Sequence, residues 1–441
     1  MRAGALLAVA AAAGLLSMAA TAASRPRRQL AAQPRPPPPS TRAPPFSITQ
    51  SILRFTSALG DRIGGGNVVI SPFSIVSVLN LLLLGAADNT YEQLRQVLQY
   101  PFEVDDLLIH QQSGIQLQSL RRETRGVNVQ IANRIFTDSA FAIDREFARQ
   151  ARDFYQAGVE QLQFGKHPAA AARRINLWVR DHTNGQIEKI FDSPPPRNTR
   201  MIGANVVYFN SSWQTPFDPA DTKPLTFTLE RGSQVCVPMM FAELTVPFVS
   251  YSREGFAAVA LPYAGAEYAM VVLVPDEAGE QPLRKLEQQL AGGRLQRVFD
   301  DMRPANLSVW LPRFKMQFSL ALRDILQEMG ATDLFQESRA SLGRLSSDRQ
   351  LFLSEVLHQA VIDVHEAGTE ASAVTTTLVN RDRLATTFRA NRPFLFVIRD
   401  NKTGVPLFYG RMLSPEEGVP RPGRGQTCNG RNRRRPGATR F

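Results

Sequence analysis

Five histidines, His110, His167, His182, His358 and His365, are the first residues to weigh as chemistry. A hydrolase would need one of them beside a nucleophile and an orienting acid. The chain has no G-x-S-x-G elbow to present that nucleophile. It also lacks C-x-x-C, H-E-x-x-H and D-x-D-x-G spacings, so no metal site is expected. Neither G-x-G-x-x-G nor a P-loop occurs, and Gly64–Gly66 reads as a loop before a strand. The expectation is that this chain is not an enzyme. What stands out instead is a charged cluster, Asn380–Arg383, with Arg381 and Arg383 on either side of Asp382.

The residues just upstream of this cluster have a different composition. Residues 366–377 read EAGTEASAVTTT, small and apolar or hydroxyl-bearing, with no proline. A strand that stays exposed avoids that composition, because a β-prone edge invites pairing with another chain. Successive side chains of a strand point to opposite faces. One face here carries Thr369, Ala371, Ala373, Thr375 and Thr377, all small enough to bury without a charge. The other carries Glu370, Ser372, Val374 and Thr376. The segment reads as a strand built to enter an existing sheet.

The surrounding motifs are specific. Val356–Val374 (VLHQAVIDVHEAGTEASAV) followed by Phe388–Asp400 (FRANRPFLFVIRD) resembles the reactive-loop region of the serpins. Asn67–Leu94, with its SPFS and GAADNT elements, is similar to an early helix of that family and the turn after it. Ala132–Phe136, Ile175–Ile187, Asn205–Phe217, Val237–Met240, Leu261–Tyr263 and Leu311–Lys315 follow in family order, and the resemblance runs from Phe46 to Pro415. It implies an α+β fold of three β-sheets and about nine helices, with an exposed reactive-centre loop after a central strand of the largest sheet. It also implies a suicide trap, in which a serine protease cuts the loop and the loop then inserts as a new strand. The hinge of that movement would be Glu366, Gly368, Thr369, Ala371, Ala373 and Thr375. Ser71, Ser74, Asn205 and His358 would form a structural polar cluster beneath the sheet, and Trp213 would lie where the loop enters it. Counting from the hinge glycine places the bond after Asp382. An arginine-specific target would instead cut after Arg381 or after Arg383, the latter leaving Leu384 as the next residue. All three remain open. The alternative function is a serpin-fold binding or carrier protein whose loop is cut without trapping the protease.

Composition agrees with one large unit. Apolar residues make up 43% of the 441, enough for a sizeable core, and no Pro/Gly/Ser-rich linker interrupts 46–415. The net charge of +11 sits in the ends. Residues 1–45 hold six Arg and no acid, and 416–441 hold seven Arg against two Glu, which leaves 46–415 near neutral. Nucleic-acid binders place cations on a folded face, so no nucleic-acid partner is expected. Arg2, the Ala/Leu-rich run to Ala20 and the small residues Thr21–Ala23 describe a secretory signal peptide over 1–23. An uncleaved anchor is the competing reading, disfavoured because the run is weakly apolar for a span. A secreted, extracellular monomer with no membrane span is the expectation. Residues 24–45 then form a Pro/Arg-rich disordered linker and 416–441 a basic disordered tail. Secretion makes the sequons at Asn210, Asn306 and Asn401 glycosylation candidates. Cys236 and Cys428 are the only cysteines, and their pairing is left open.

The tail arginines (Arg421, Arg424, Arg431, Arg433, Arg434, Arg435 and Arg440) and the smaller patch at Ser119–Arg125 suit a heparin-like glycosaminoglycan. A solvated, trimmed extension is the plainer reading of the tail. No other cofactor is expected. Among the positioning elements, Ser74–Leu84 and Ala170–His182 read as helices. Ala257–Val274 reads as a hairpin, and Phe394–Ile398 with Leu407–Leu413 as a strand pair around the Asn401 turn.

Overall fold

The apolar run after Ser71 becomes the central helix. The computed structural model describes residues 46–120, 127–291, 293–367, 386–415 and 428. Within it Pro72–Gly85 is a helix whose residues are all buried. Pro72 at its first position lacks only an N–H that would have no partner there, and Ser71 Oγ accepts from the Ser74 N–H at 3.4 Å. A helix apolar all round must be covered on every side. The nine helices among the described residues are α1 Ile48–Gly60, α2 Pro72–Gly85, α3 Asp88–Val97, α4 Asp106–Leu120, α5 Arg145–Tyr155, α6 Pro168–Asp181, α7 Glu280–Leu290, α8 Arg294–Asp301 and α9 Arg323–Glu328. The expected helices at Ser74–Leu84 and Ala170–His182 are α2 and α6, each begun earlier by a proline.

The strands are β1 Val68–Ile70, β2 Val127–Asp138, β3 Gly158–Leu162, β4 Met201–Ser211, β5 Lys223–Thr228, β6 Gln234–Tyr251, β7 Phe256–Pro262, β8 Tyr268–Pro275, β9 Arg303–Pro312, β10 Phe314–Ala321, β11 Glu355–Val364, β12 Thr386–Arg389, β13 Phe394–Asp400 and β14 Pro406–Met412. The expected hairpin is β7–β8, and the expected pair around Asn401 is β13–β14. Among the described residues one sheet runs β10-β11-β4-β2-β3; the other has nine strands, β1-β14-β13-β8-β7-β6-β9-β12 with β5 beside β6. The α+β fold is thus as the resemblance implies, but the expected three sheets are joined into two ladders. The reason is the length of β6. Its first part pairs with β5 and β9, and Phe248–Tyr251 continue into β7, so one 18-residue strand links what would otherwise be two sheets. A second correction concerns β11, which leads into the loop: it belongs to the five-stranded sheet and not to the largest one.

The five-stranded sheet is covered on both faces. Alternate residues of β4 and β11 (Met201, Val207 and Phe209; Val356, Ala360 and Ile362) join the main core with α2. The others (Ile202, Ala204 and Val206; Val361) join a second cluster around Ile175 and Trp178 of α6. Burial on both faces explains why β4 is nearly unbroken in apolar residues rather than alternating. Cys236 of β6 and Cys428 form a disulfide with Cα atoms 5.4 Å apart. The expected leader at 1–23, the linker at 24–45, the patch Arg121–Arg125 and the tail apart from Cys428 lie outside the described residues.

One glycine of β14 lies close against its antiparallel neighbour β13. Gly410 pairs directly with Phe396, and a Cβ at Gly410 would come within 2.1 Å of the Phe396 ring. That ring is already held against Phe314 at 5.7 Å and Phe394 at 6.4 Å. Gly410→Ala overpacks the site, and a loss of about 1–3 kcal/mol in stability is expected, read as a lower midpoint of urea unfolding. An unchanged midpoint would show that the ring can turn aside.

Candidate functional site

β11 and β4 lie side by side and run parallel, Glu355 to Ile362 matching Ile202 to Phe209. The register places His358 beside Asn205, and the β2–β4 register places Asn205 beside Asn133. Three polar side chains therefore form a row across β11, β4 and β2, on the face that looks toward α2. Ser71 N–H donates to His358 Nε2 at 3.1 Å. Nδ1 consequently carries the proton and donates to Asn205 Oδ1 at 2.5 Å. Asn205 Nδ2 donates to Ser74 Oγ and to Asn133 Oδ1. Burial pushes the His358 pKa down from 6.5 to about 3. The imidazole is neutral and both of its nitrogens are engaged.

Ser71, Ser74, Asn205 and His358, picked out from the resemblance, are thus brought together. Asn133 completes the row and was missed. Its signal was available as a lone amide in the apolar strand ANRIF, but only the cross-strand register gives it a partner.

The far end of β11 is clamped. Trp213 Nε1 donates to the His365 carbonyl at 2.8 Å, and the indole stacks on Tyr263 at 4.6 Å and 8° between planes. Phe217 N–H donates to the Glu366 carbonyl at 3.0 Å. The Glu366 carboxylate accepts from Thr222 Oγ1 at 2.8 Å and lies 3.7 Å from the Arg313 guanidinium. Of the hinge residues only Glu366 is described. Gly368, Thr369, Ala371, Ala373 and Thr375, with the bond candidates Arg381, Asp382, Arg383 and Leu384, lie outside the described residues. The structure does give both ends of that 18-residue segment: the clamp at Glu366, and β12, which pairs parallel with β9 at the edge of the other sheet.

The sequons differ in setting. Asn401 is exposed in the β13–β14 turn, although its amide donates to the Ala266 carbonyl at 2.9 Å. Asn306 is exposed on β9 and accepts from Thr245 Oγ1. Asn210 is half-buried in β4. Among the described residues no cluster of three or more His, Cys, Asp or Glu is arranged to hold a metal, and no helix is long and apolar enough to cross a membrane.

With this geometry in place, the comparisons with known proteins are direct. A family profile described as "Serpin (serine protease inhibitor)" matches residues 48–415. The leukocyte elastase inhibitor of Bos taurus is 34% identical over 362 residues, covering 79% of this chain and 93% of that protein. The structure of uncleaved ovalbumin superposes with a TM-score of 0.77 at 28% identity, over 84% of this chain and all of that one. Native protease nexin-1 with heparin gives 0.74 at 30% identity, over 84% and 98%. The chain belongs to the serpin family.

The buried histidines make a pH dependence. His110, also buried, has its Nδ1 2.5 Å from Tyr155 OH, and its pKa is lowered to about 4. The folded state refuses a proton that the unfolded state takes up below pH 6.5, so stability falls as the pH falls from about 6.5 toward 4 and 3. Each histidine contributes a slope of up to about 1.4 kcal/mol per pH unit in that window. His358→Gln should be less stable at pH 7 but should flatten the slope of urea-unfolding free energy by about one proton. An unaltered slope would mean that His358 is not held neutral.

Proposed function

We propose that this protein is a secreted inhibitor of a trypsin-like serine protease, acting as a suicide substrate. The observation that carries the reading is the parallel neighbourhood of β11 and β4, taken with the alternation after Glu366. A chain that leaves β11 and folds back between these two strands runs antiparallel to both. One parallel contact is replaced by two antiparallel ones, which hold slightly better per residue. The face such a strand turns inward is Thr369, Ala371, Ala373 and Thr375, none of which brings a charge under the sheet. The name of the bovine relative, an elastase inhibitor, agrees with inhibition.

The chemistry belongs to the protease. Its serine Oγ attacks the carbonyl of the scissile residue, an acyl ester forms, and the new amino terminus leaves with the downstream chain. The cleaved loop then carries the acyl-enzyme with it as it enters the sheet, before water can hydrolyse the ester. Arg381 or Arg383 as the acylated residue suits an acidic specificity pocket. The count from the hinge favours Asp382, so the bond is one of these three. Secretion is supported by the charged and apolar pattern of 1–23, by exposed sequon asparagines at 306 and 401, and by a disulfide, a bond that persists in oxidising compartments. The tail arginines support a heparin-like polysaccharide as a second ligand. The similar protease nexin-1 was solved with heparin.

The expected outcome of mixing the protein with trypsin is a complex that survives boiling in detergent, and sequencing the C-terminal fragment, freed by reducing the Cys236–Cys428 disulfide, identifies the bond. Thr369→Arg should still be cut but should yield mostly cleaved inhibitor and free protease. Burying an unpaired guanidinium costs several kcal/mol and slows insertion. Complete turnover of the parent by every arginine-specific protease tried would falsify the inhibitory reading. An unchanged complex yield in the variant would remove loop insertion as the mechanism.

A further inference from the structure

β2 outruns the strand beside it. β3 pairs with β2 only from Arg134 onward, where Gly158 stands opposite, so Val129–Asn133 extend past the start of β3. α6 lies over this region. Trp178 meets the Phe136 ring edge-on at 5.5 Å and carries the Arg134 guanidinium over its own ring at 5.4 Å. The gap left at the edge is a cavity of about 330 Å³, lined by Gln130, Asn133, Arg134, Gly158, Trp178 and neighbouring residues. Its lining takes consecutive residues of β2, so the cavity wraps around the strand edge instead of lying on one face.

Its polar groups are out of balance. Trp178 Nε1, Arg134 Nε, Asn133 Nδ2 and Gln130 Oε1 are buried and have no hydrogen-bond partner among the described residues. Trp178 is 1% exposed and Asn133 7%. A buried polar group without a partner is costly, and so few are tolerated that each calls for a reason. Three of these four are donors. By strand alternation Gln130 and Arg134 share the α6 side with Ala132 and Phe136, whereas Asn133, a member of the polar row, faces α2. Donors therefore stand on both sides of one edge. Arg134 is the one residue of the lining with a fixed charge. Its guanidinium donates to Glu160 Oε2 at 2.7 Å, but Glu160 also serves Arg174 at 2.6 Å, so one carboxylate answers two cations.

We propose that this cavity is a binding site for a small hydroxydicarboxylate. One carboxylate accepts from Trp178 Nε1 and Arg134 Nε, the second accepts from Asn133 Nδ2 across the edge, and the hydroxyl donates to Gln130 Oε1. All four groups are then paired. The anion meets the uncompensated positive charge, and no carboxylate of the lining repels it. Asn133 Oδ1 already accepts from Asn205 Nδ2, so the ligand joins the polar row and ties α6 to β2 and β4. The site is independent of protease inhibition, because it uses no residue of the reactive loop.

The test is calorimetric titration of the full chain with malate. One site per chain is expected. Because the ligand binds only the folded state, saturating malate should raise the midpoint of thermal unfolding. Succinate, which has both carboxylates and no hydroxyl, should bind about fivefold more weakly. Trp178→Phe removes the indole N–H and should weaken malate binding about tenfold, and Arg134→Gln should weaken it at least as much. The Arg134 side chain is 24% exposed, so its variant tests the site even where the buried Trp178→Phe fails to fold; near-ultraviolet circular dichroism checks both. No heat of binding at millimolar malate overturns the proposal and leaves the cavity to water. Malate affinity unchanged in Arg134→Gln puts the ligand elsewhere and overturns it too. Sulfate that binds as tightly as malate overturns the dicarboxylate.

Discussion

The hydrogen bond between His358 and Asn205 ties together the two strands whose separation the proposed mechanism requires. It is buried, it joins β11 to β4, and through Ser71 and Ser74 it is anchored to the N-terminus of the central helix. Leaving a buried donor or acceptor without a partner costs about 1–3 kcal/mol for each group. The strands can part cheaply only if the incoming chain, or a shift of α2, offers replacements at the same moment. The same network that specifies the five-stranded register therefore also resists its conversion. A purely apolar row at these positions would fill the space but would not discriminate one register from the next.

The clamp around Glu366 does complementary work at the end of β11. Trp213, Phe217 and Thr222 bind backbone and side-chain groups of residues 365 and 366, and Arg313 adds a partly screened ion pair. These contacts end where the small, uncharged alternation begins. Packing on both faces fixes the strand up to Val364, and the sequence after Glu366 turns to mostly small side chains.

Charge is organised separately from the fold. The region 46–415 is close to neutral, and its buried ion pair, Arg411 with Glu287 at 3.1 Å, is enclosed by the carbonyls of Ile63, Gly64 and Gly66. That pair holds α7 and the loop before β1 against β14 and offers nothing to a ligand. The uncompensated cations lie in the end segments of the sequence. The disulfide is the covalent link between those two parts of the chain.

Much of this was legible in the sequence, for physical reasons. The helix at Pro72–Gly85, the β7–β8 hairpin and the β13–β14 pair follow from unbroken apolar runs between turn residues, because local composition decides which segments must be buried. The alternation at Thr369, Ala371, Ala373 and Thr375, the arginines at 381 and 383 and the charged ends are properties of short segments, and so are visible without a fold. The tertiary structure decided what depends on partners distant in the chain. Asn133 became part of the polar row because β2 and β4 pair in one register. Cys236 met Cys428 across 192 positions, a pairing that no local pattern encodes. The separate sheets became one ladder because a single strand, β6, is long enough to pair at both ends. Periodicity tells a residue which way it faces, but only the pairing of strands tells it what it faces.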